Sequence, residues 1–467
     1  MKVIKFGGSS LATGSQFEKV IAIITADKER RVIVTSAPGR RFSGDTKVTD
    51  LLINYAHQTM AKKDTTAIVN TIYARYHEIG QHFGVSEEEL NDIKQILLKL
   101  PDADYPTDDY LLATFKAHGE RLNARLMALV LNHQGIKARF VDPSEAGIVV
   151  TGEPNNADVN PETYDNLDQF QYSDDERLVF PGFFGFTPAG RIATFARGGS
   201  DITGAILARG LHADLYENFT DVDAIYSANP RVIKNPAPIS AMTYREMREL
   251  SYAGFSVFND EALLPAIQGQ IPINVKNTND PTKEGTMIVP EKGFKPRRIV
   301  TGIASKKHFA AIYLHKYLLN RDVGFTLRIL QVLDEYNVPY EHMPSGIDDL
   351  TIIIDSRKIT DDIVDKVCSA VQKEINPDRL EWIDDYAITM VVGEGMEHRR
   401  GVSASILKAV ADAGISLSMI NQGASQISIM LGTRRKDADA AVKAIYHAFL
   451  PQPKQDYPLT TTRREHI

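Results

Sequence analysis

Cysteine is almost absent from this chain of 467 residues, in which Cys368 stands alone. A single cysteine can form neither an internal disulfide nor a multi-cysteine metal site, and it fits a reducing cytosol. Long apolar runs are also missing, both at the N-terminus (MKVIKFGGSS) and further along the chain. We therefore expect no signal peptide, no membrane span and a cytoplasmic location.

An excess of positive charge is lacking as well. Lys and Arg number 53 against 60 Asp and Glu, which gives a net charge of −7. This balance predicts no nucleic-acid partner. Hydrophobic residues make up 43%, a composition typical of globular proteins. The length alone predicts about three domains.

Several signatures of known chemistry are absent. The chain has no GxxxxGK[ST] P-loop, no GxGxxG opening a helix, no protein-kinase HRD or DFG set and no GxSxG elbow. His77, Glu78 and His82 look like a zinc motif. The two histidines are too far apart for that motif and fall on different helical faces. P-loop, protein-kinase and α/β-hydrolase chemistry are therefore excluded.

Glycine-rich turns after apolar strands are present instead. A predicted strand over 3–6 ends at Gly7-Gly8-Ser9-Ser10, and a second over 31–35 ends at a Ser-Ala-Pro-Gly turn. A helical pattern over 15–27 separates them, and similar strands recur at 138–141, 178–181, 215–219 and 271–274. This alternation favours a parallel sheet with helices on its faces. Such sheets bind ligands at the carboxyl ends of their strands.

The C-terminal part contains an internal repeat, which begins after a Pro-, Gly- and Lys-rich passage at 281–298. Strands beginning at 311 and 387 resemble each other, and Gly324-Phe325 matches Gly401-Val402. Each copy follows a βαββαβ, ferredoxin-like order, with further strands expected at 338–342 and 350–354 in the first copy and at 415–420 and 426–431 in the second. The expected domains are 1–290 (with a helical subregion at about 45–130), 299–384 and 385–452, followed by a tail over 453–467.

Two of the turns carry charges suited to an anionic ligand. Lys5 precedes the first glycine turn, where glycines allow close backbone approach and a helix start favours anionic oxygens. The segment RGGSD follows a predicted strand over 192–196 and precedes a helix expected near Ile202. Arg197 can pair with a carboxylate, whereas Asp201 can cap the helix or orient a lysine or metal near phosphates. Both segments also fit plain βα turns.

The ordered set KFGGSS, His118-Gly119-Glu120, RGGSD and TDVDAIYSANPR, followed by the paired repeats, resembles the aspartokinases. These are members of the amino acid kinase family with C-terminal ACT domains, and the likeness is to the monofunctional, lysine-sensitive type over roughly 2–449. It implies an α/β fold: an amino acid kinase-like parallel-sheet sandwich with helices on both faces, then two ferredoxin-like ACT modules. It also implies transfer of the ATP γ-phosphate to the side-chain carboxylate of L-aspartate, with Mg²⁺. The product is 4-phospho-L-aspartate, the first intermediate toward lysine, threonine and methionine.

The resemblance also implies roles for individual residues. The catalytic positions are matched by Lys5 and Asp201. The aspartate-binding positions are matched by Thr49, Glu120, Arg197, Gly199 and Ser200. The nucleotide positions are matched by Lys5, Phe6, Gly7, Gly8, Ser9, Thr220, Asp221, Tyr226, Arg231, Ser256 and Val257. No side chain is expected to ligate magnesium directly, since the ion would arrive with the phosphates.

One segment departs from the family pattern. Many aspartokinases carry Lys-Val-Leu-His-Pro where this chain has Ser256-Val257-Phe258-Asn259-Asp260. Ser256 cannot supply the charge of that lysine. Either Lys276 or Arg231 compensates for it, or the affinity for nucleotide is lower.

An effector pocket is expected between ACT units of a homodimer. Its predicted contacts to lysine, threonine or both are Gly324, Phe325, Thr326, Tyr340, Glu341 and Asp348. The two acids also fit an ordinary solvated surface. Two other functions stay open: a kinase for glutamate or N-acetylglutamate, and an amino-acid sensor with weakened catalysis.

Overall fold

The computed structural model describes residues 1–196, 198–255 and 260–450. Its strands are β1 (Lys2–Phe6), β2 (Arg30–Thr35), β3 (Ala138–Phe140), β4 (Val150–Glu153), β5 (Asn156–Val159), β6 (Arg177–Pro181), β7 (Phe184–Phe186), β8 (Ile192–Thr194), β9 (Leu215–Thr220), β10 (Ala241–Thr243), β11 (Ile273–Asn277), β12 (Thr286–Val289), β13 (Gly302–His315), β14 (Asp349–Asp355), β15 (Arg379–Val392), β16 (Met419–Gln422) and β17 (Ser428–Thr433). Its helices are α1 (Gly14–Thr25), α2 (Val48–Met60), α3 (Thr66–His82), α4 (Glu87–Lys99), α5 (Asp108–His133), α6 (Glu162–Asp168), α7 (Gly199–Gly210), α8 (Tyr244–Tyr252), α9 (Leu264–Gln268), α10 (Phe325–Glu335), α11 (Asp361–Ile375), α12 (Val402–Asp412) and α13 (Ala438–Phe449).

The described residues form two compact units. The first lies within Met1–Ile225, Ile239–Ser251 and Ser256–Lys295, and the second within Tyr226–Pro238, Tyr252–Phe255 and Pro296–Ile467. No helix in the described part of the chain is both long and apolar enough to cross a membrane.

An eight-stranded sheet organises the first unit, in the order β10-β12-β11-β9-β1-β2-β6-β3. All its neighbours run parallel except β11 and β12. The central strands β1 and β2 are apolar on both faces, with Ile4, Phe6 and Ile33 fully buried. Such continuous apolar strands are expected where helices cover both faces of a parallel sheet. The predicted fold class is confirmed.

Helices α2 to α5 occupy most of the stretch in which the sequence predicts helices. A capping box at Ser86 and Glu89 begins α4, and the Thr107 hydroxyl accepts from the Tyr110 amide at the start of α5. Helix α5 is 26 residues long and buries one side against the sheet. Tyr55 of α2 meets Phe115 of α5 edge to face at 4.8 Å between ring centroids. This packing fixes the helix that carries Glu120.

The predicted strand over 192–196 is shorter than expected and lies outside the central sheet. It is β8, which pairs only with β7 as an antiparallel ribbon. The helix expected near Ile202 is α7, which starts earlier, at Gly199. The cause is Gly198, whose left-handed backbone (φ 81°) turns the chain directly into the helix.

The second unit contains a five-stranded sheet in the order β14-β13-β15-β17-β16. Strands β13 and β15 are each 14 residues long and pair along most of their lengths, with shifts in register between Lys306 and Ala311. Residues 302–306 of β13 pair with 388–392 of β15, whereas 309–315 pair with 379–386. The expected boundary between 384 and 385 therefore falls inside β15, and the start of the segment assigned to the first module pairs with the second. The division into two modules stays a prediction.

The strand expected over 338–342 is not formed. Within this segment an isolated bridge joins His342 to Ile353 of β14, and a second bridge, Ser345 to Leu350, lies just beyond it. Pro339 and Pro344 flank the first bridge. Because proline lacks a backbone donor, a continuous ladder cannot form there.

Candidate active site

The carboxyl ends of the central strands bring the first predicted residues together. Lys5 and Asn218 sit opposite each other on the paired strands β1 and β9. Helix α7 packs over them because it carries a small residue, Gly204, where a Cβ would lie 2.5 Å from the Tyr216 hydroxyl. The first turn of α7 thereby brings Asp201 to the strand ends.

Lys5 and Asp201 form a nearly buried ion pair. Lys5 Nζ lies 2.6 Å from Asp201 Oδ1, and the two side chains are 9% and 16% exposed. Asn218 Nδ2 donates to the same oxygen at 2.6 Å and lies 3.2 Å from the Tyr216 hydroxyl. Asp201 is thus held by a cation and an amide from two adjacent strands, which fixes the direction of the Lys5 ammonium.

A cavity of about 470 Å³ opens at the same edge of the sheet. It is lined by Gly8, Ser9, Ser36, Ala37, Pro38, Gly39, Arg40, Lys47, Thr49, Glu120 and Asp221. Helix α2 begins beside it, with Lys47 at the N-cap. Cationic side chains and a helix start together favour anionic groups.

Glu120 is the only buried acid among the residues that line this cavity, and it is 6% exposed. Its Oε2 has no hydrogen-bond partner in the described structure. Burial raises the pKa of Glu120 to about 8, and the Ala37 amide and the Lys116 ammonium oppose this shift. A buried oxygen without a donor is costly, so this carboxylate is suited to receive a cationic ligand.

The two turns after β1 and β2 approach closely through glycine. The Gly39 amide donates to the Gly8 carbonyl at 2.8 Å. A Cβ on Gly39 would lie 2.6 Å from the Gly8 carbonyl carbon, and one on Gly8 would lie 2.8 Å from the Ala37 carbonyl oxygen. Only residues without a side chain allow this contact, which shapes the floor of the cavity.

The start of α7 is packed equally tightly. A Cβ on Gly199 would lie 2.4 Å from the ring of Phe183, and a Cβ on Gly182 would lie 2.6 Å from Cβ of Ser200. Phe183 itself has a positive φ of 80°. Such a backbone is a genuine outlier for a bulky residue and commonly marks a functional site.

Some predicted residues lie elsewhere. Arg197, Ser256 and Val257 fall outside the described residues. Thr220 is the last residue of β9, and the next residue, Asp221, lines the cavity. Tyr226 and Arg231 belong to the second unit, where Tyr226 bridges to Pro238 and the Arg231 amide donates to Asn229. Their roles, like those of the other site residues, stay predictions.

The predicted effector residues lie in and around α10, the helix that follows β13 in the second unit. Gly324 (φ 81°) precedes α10, which contains Phe325 and Thr326, and Tyr340 is exposed. The Glu341 carboxylate accepts from the Tyr252 hydroxyl and pairs with Lys358 at 3.4 Å. Asp348 accepts from the Leu318 amide at 2.9 Å. Glu341 therefore already has partners, and is not an ordinary solvated acid.

Arg40, Lys47 and the Ser-Ala-Pro-Gly turn were not predicted as site residues. The signal was available, because the second turn follows a strand that is adjacent to β1 in a parallel sheet. No group of three or more His, Cys, Asp or Glu that could hold a metal occurs among the described residues.

Cationic side chains, glycine turns and a buried carboxylate lie together at one edge of the sheet. This combination is typical of a phosphoryl-transfer enzyme with a small charged acceptor.

Comparisons with known proteins agree with that class. Residues 1–277 match the model of the amino acid kinase family, and 390–449 match an ACT domain. Aspartokinase 3 of Bacillus subtilis is 46% identical over 449 residues, covering 96% of this chain and 98% of its own length. The chain belongs to the amino acid kinase family, and within it to the aspartokinases with a C-terminal ACT domain.

Solved structures show the same relationship. The crystal structure of Clostridium acetobutylicum aspartate kinase superposes with a TM-score of 0.86 at 37% identity, covering 96% of this chain and 100% of that one. Escherichia coli aspartokinase III, solved in complex with aspartate and ADP, has a TM-score of 0.74 at 22% identity, covering 96% and 99%. This second likeness concerns the fold.

Proposed function

We propose that this chain transfers the γ-phosphate of MgATP to the side-chain carboxylate of L-aspartate. The observation that carries the proposal is the buried Glu120 carboxylate, whose unpartnered Oε2 belongs to a residue lining the same cavity as Gly8 and Ser9. The α-ammonium of an amino acid would satisfy that oxygen. The membership in the aspartokinases supports aspartate as the acceptor.

The proposed division of labour follows from charge. Arg197, Ser200 and Thr49 would hold the carboxylates of aspartate while Glu120 holds its ammonium. The side-chain carboxylate then attacks the γ-phosphorus and ADP leaves with the bridging oxygen. A carboxylate is already ionised at neutral pH, so the reaction needs no general base. Lys5, fixed by Asp201 at 2.6 Å, neutralises charge on the transferred group.

The nucleotide would lie along the glycine turn after β1 and the end of β9. The residues present fit the phosphates of the nucleotide, because the cavity combines Arg40 and Lys47 with the start of α2, and magnesium would arrive with those phosphates. Magnesium, when bound, neutralises phosphate charge and orients the transferred group. Thr220 and Asp221 at the end of β9 are proposed to contact the nucleotide, together with Tyr226, Arg231, Ser256 and Val257.

Hydroxylamine trapping tests the acceptor directly. It converts acyl phosphates to hydroxamates, which are detected as their coloured complexes with ferric iron. With MgATP we expect hydroxamate from aspartate and none from glutamate or N-acetylglutamate. An acetylated amine carries no charge for Glu120 to meet, which disfavours N-acetylglutamate. Absence of hydroxamate from all three acceptors would favour a sensor that has lost turnover, and a signal from glutamate alone would refute the proposed substrate.

End-product control by lysine, threonine or both is proposed for the second unit. Glu341 and Asp348 would bind the effector beside their present partners, Lys358 and the Leu318 amide, or in exchange for them. Titration calorimetry with each amino acid, alongside the trapping assay, identifies the effector: heat and inhibition should appear together.

A homodimer through the ACT region, in the cytoplasm, completes the proposal. Large apolar side chains are exposed around α10, among them Val323 (94%), Tyr317 (71%), Ile347 (70%) and Leu327 (60%). Patches of this kind mark contact surfaces. Sedimentation velocity should give a dimer, and Val323→Asp should shift it toward monomer.

A further inference from the structure

Lys116 is half-buried and forms no ion pair among the described residues, although the charges of Glu120 and Asp109 act on it. It lies on α5 one turn before Glu120, and residues four apart share a helix face. Its ammonium is 5.5 Å from the centroid of the Phe183 ring.

Phe183 provides the surface on which that ammonium rests. Its amide donates to the Thr203 hydroxyl at 2.9 Å, and its carbonyl accepts from the Phe195 amide at 2.9 Å. These two bonds hold the left-handed backbone, and the ring fills the space next to Gly199. The aromatic face is attractive to a cation, so it fixes Lys116 between α5 and the start of α7.

Other charged and titratable groups lie on the elements around Glu120. Tyr76 of α3 donates to the Gly119 carbonyl at 2.9 Å, and burial raises the pKa of Tyr76 well above its usual value, so it stays neutral. Arg75, also on α3, is paired with Asp45 at 3.3 Å. Arg40, Lys47 and Asp221 line the cavity from the other elements. Lys116 is the cation that shares the helix face of Glu120.

We propose that Lys116 is a positioning residue for the amino-acid substrate: held over the Phe183 ring, it stabilises the carboxylate form of Glu120 that receives the substrate ammonium. This inference rests on the proposed function, in which Glu120 binds that ammonium. In the empty site burial favours protonated Glu120, whereas the nearby positive charge favours the carboxylate through a medium of low dielectric. Aspartate binding near neutral pH therefore displaces a proton from Glu120, and Lys116 eases its loss.

The test compares Lys116→Met with Lys116→Arg. We measure kcat and KM for aspartate from pH 6 to 8.5. For Lys116→Met we expect the rise of kcat/KM with pH to move about 0.5–1 unit toward alkaline pH. The KM at pH 7 should increase about 3- to 10-fold, with kcat changed less than about 2-fold. Lys116→Arg, which keeps the charge, should follow the wild type.

A second readout needs no turnover. Calorimetry of aspartate binding in buffers of different ionisation enthalpy counts the protons released, and Lys116→Met should release more than the wild type at pH 8. Superimposable pH profiles and equal proton counts for all three proteins would overturn the proposal. So would equal loss in both variants at every pH, which indicates a structural role. If the wild type makes no hydroxamate from aspartate, the proposed function fails first, and the two failures are therefore distinguishable.

Discussion

Lys5 Nζ and Asp201 Oδ1 lie 2.6 Å apart at the carboxyl end of the central strand, in a pair that is largely shielded from solvent. The same aspartate oxygen accepts from Asn218 on the neighbouring strand. Because Lys5 and Asn218 are register partners, the sheet itself sets the geometry of this pair. A cation whose direction is fixed in advance stabilises charge in the transition state without reorganisation.

Asp201→Asn removes the charge that orients Lys5 while keeping its size. We expect kcat to fall by about 100-fold or more, with the KM for aspartate changed less than about 3-fold. Steady-state kinetics measure both. Asp27→Asn is the matched control, because Asp27 pairs with Lys2 at 2.7 Å, at the opposite end of β1 from Lys5. A loss of kcat below about 5-fold in Asp201→Asn would contradict the role.

Gly8→Ala and Gly7→Ala separate steric need from mere proximity to the turn. An added Cβ at Gly8 meets the Ala37 carbonyl at 2.8 Å, whereas at Gly7 the nearest atom is 3.7 Å away. Gly7 also has an ordinary extended backbone, with φ −72°. We expect Gly8→Ala to cost about 1–3 kcal/mol of unfolding free energy and Gly7→Ala less than about 1. Urea unfolding of the two variants decides; equal losses would be against the close approach described here.

Glu120→Gln should become relatively more stable as the pH rises. The pKa of Glu120 is about 8 in the folded protein against 4.5 ordinarily. The stability gained from its bound proton is complete below pH 4.5 and is lost as pH rises through 8. Glutamine is neutral throughout. Thermal midpoints without aspartate should therefore differ more at pH 8.5 than at pH 5, in favour of the variant; a pH-independent difference would falsify the raised pKa.

His118 gives the opposite dependence on pH. It is buried, its Nδ1 lies 2.7 Å from the Thr114 carbonyl, and burial lowers its pKa to about 4 from 6.5. The neutral ring stabilises the fold above pH 6.5, and that stability is lost as pH falls through 4, by up to about 3 kcal/mol. His118→Asn should therefore lose less stability than the wild type between pH 7 and 4. Parallel acid-unfolding curves would argue against this.

Variants at Lys276 and Ser256 test whether Lys276 supplies the positive charge that Ser256 lacks. Lys276 is half-buried on β11 opposite Phe219 and has no ion pair within the described part of the chain. If it replaces the lysine that the family carries at position 256, Lys276→Met raises the KM for ATP about 10-fold. Ser256→Lys should lower that KM and rescue Lys276→Met. Loss of kcat in Ser256→Lys, or no rescue, would show that the two positions act separately.

The features that could be predicted from the sequence are those with a local signal, that is, a pattern or motif within one short segment. The pattern of apolar strands with glycine turns indicates the parallel sheet, and Lys5, Glu120 and Asp201 were recognisable by their motifs. The Lys5–Asp201 contact depends on strand order, because β9 follows β1 by about two hundred residues yet lies beside it. In a parallel sheet the carboxyl ends of the strands meet at one edge, so the sequence predicts that both residues lie at that edge. It does not predict that Lys5 and Asp201 contact each other.

Features that depend on distant contacts were not predictable. Phe183 adopts a positive φ that its own residue type disfavours, and Thr203 and Phe195 hold it there. Lys116 gains significance only from the ring that it meets. The pairing of β13 with β15 depends on register between strands far apart in sequence. Proline positions, by contrast, were visible and could have corrected the strand expected over 338–342.

The pairing of β13 with β15 across both repeats has a consequence for how this chain can change in evolution. Residues 302–306 belong to the segment expected as the first repeat, yet they pair with the segment expected as the second. Cutting the chain between the repeats would leave each fragment with an orphaned half-ladder, a template for aggregation. We therefore expect the repeats to diverge by substitution more readily than by loss or exchange of a single copy.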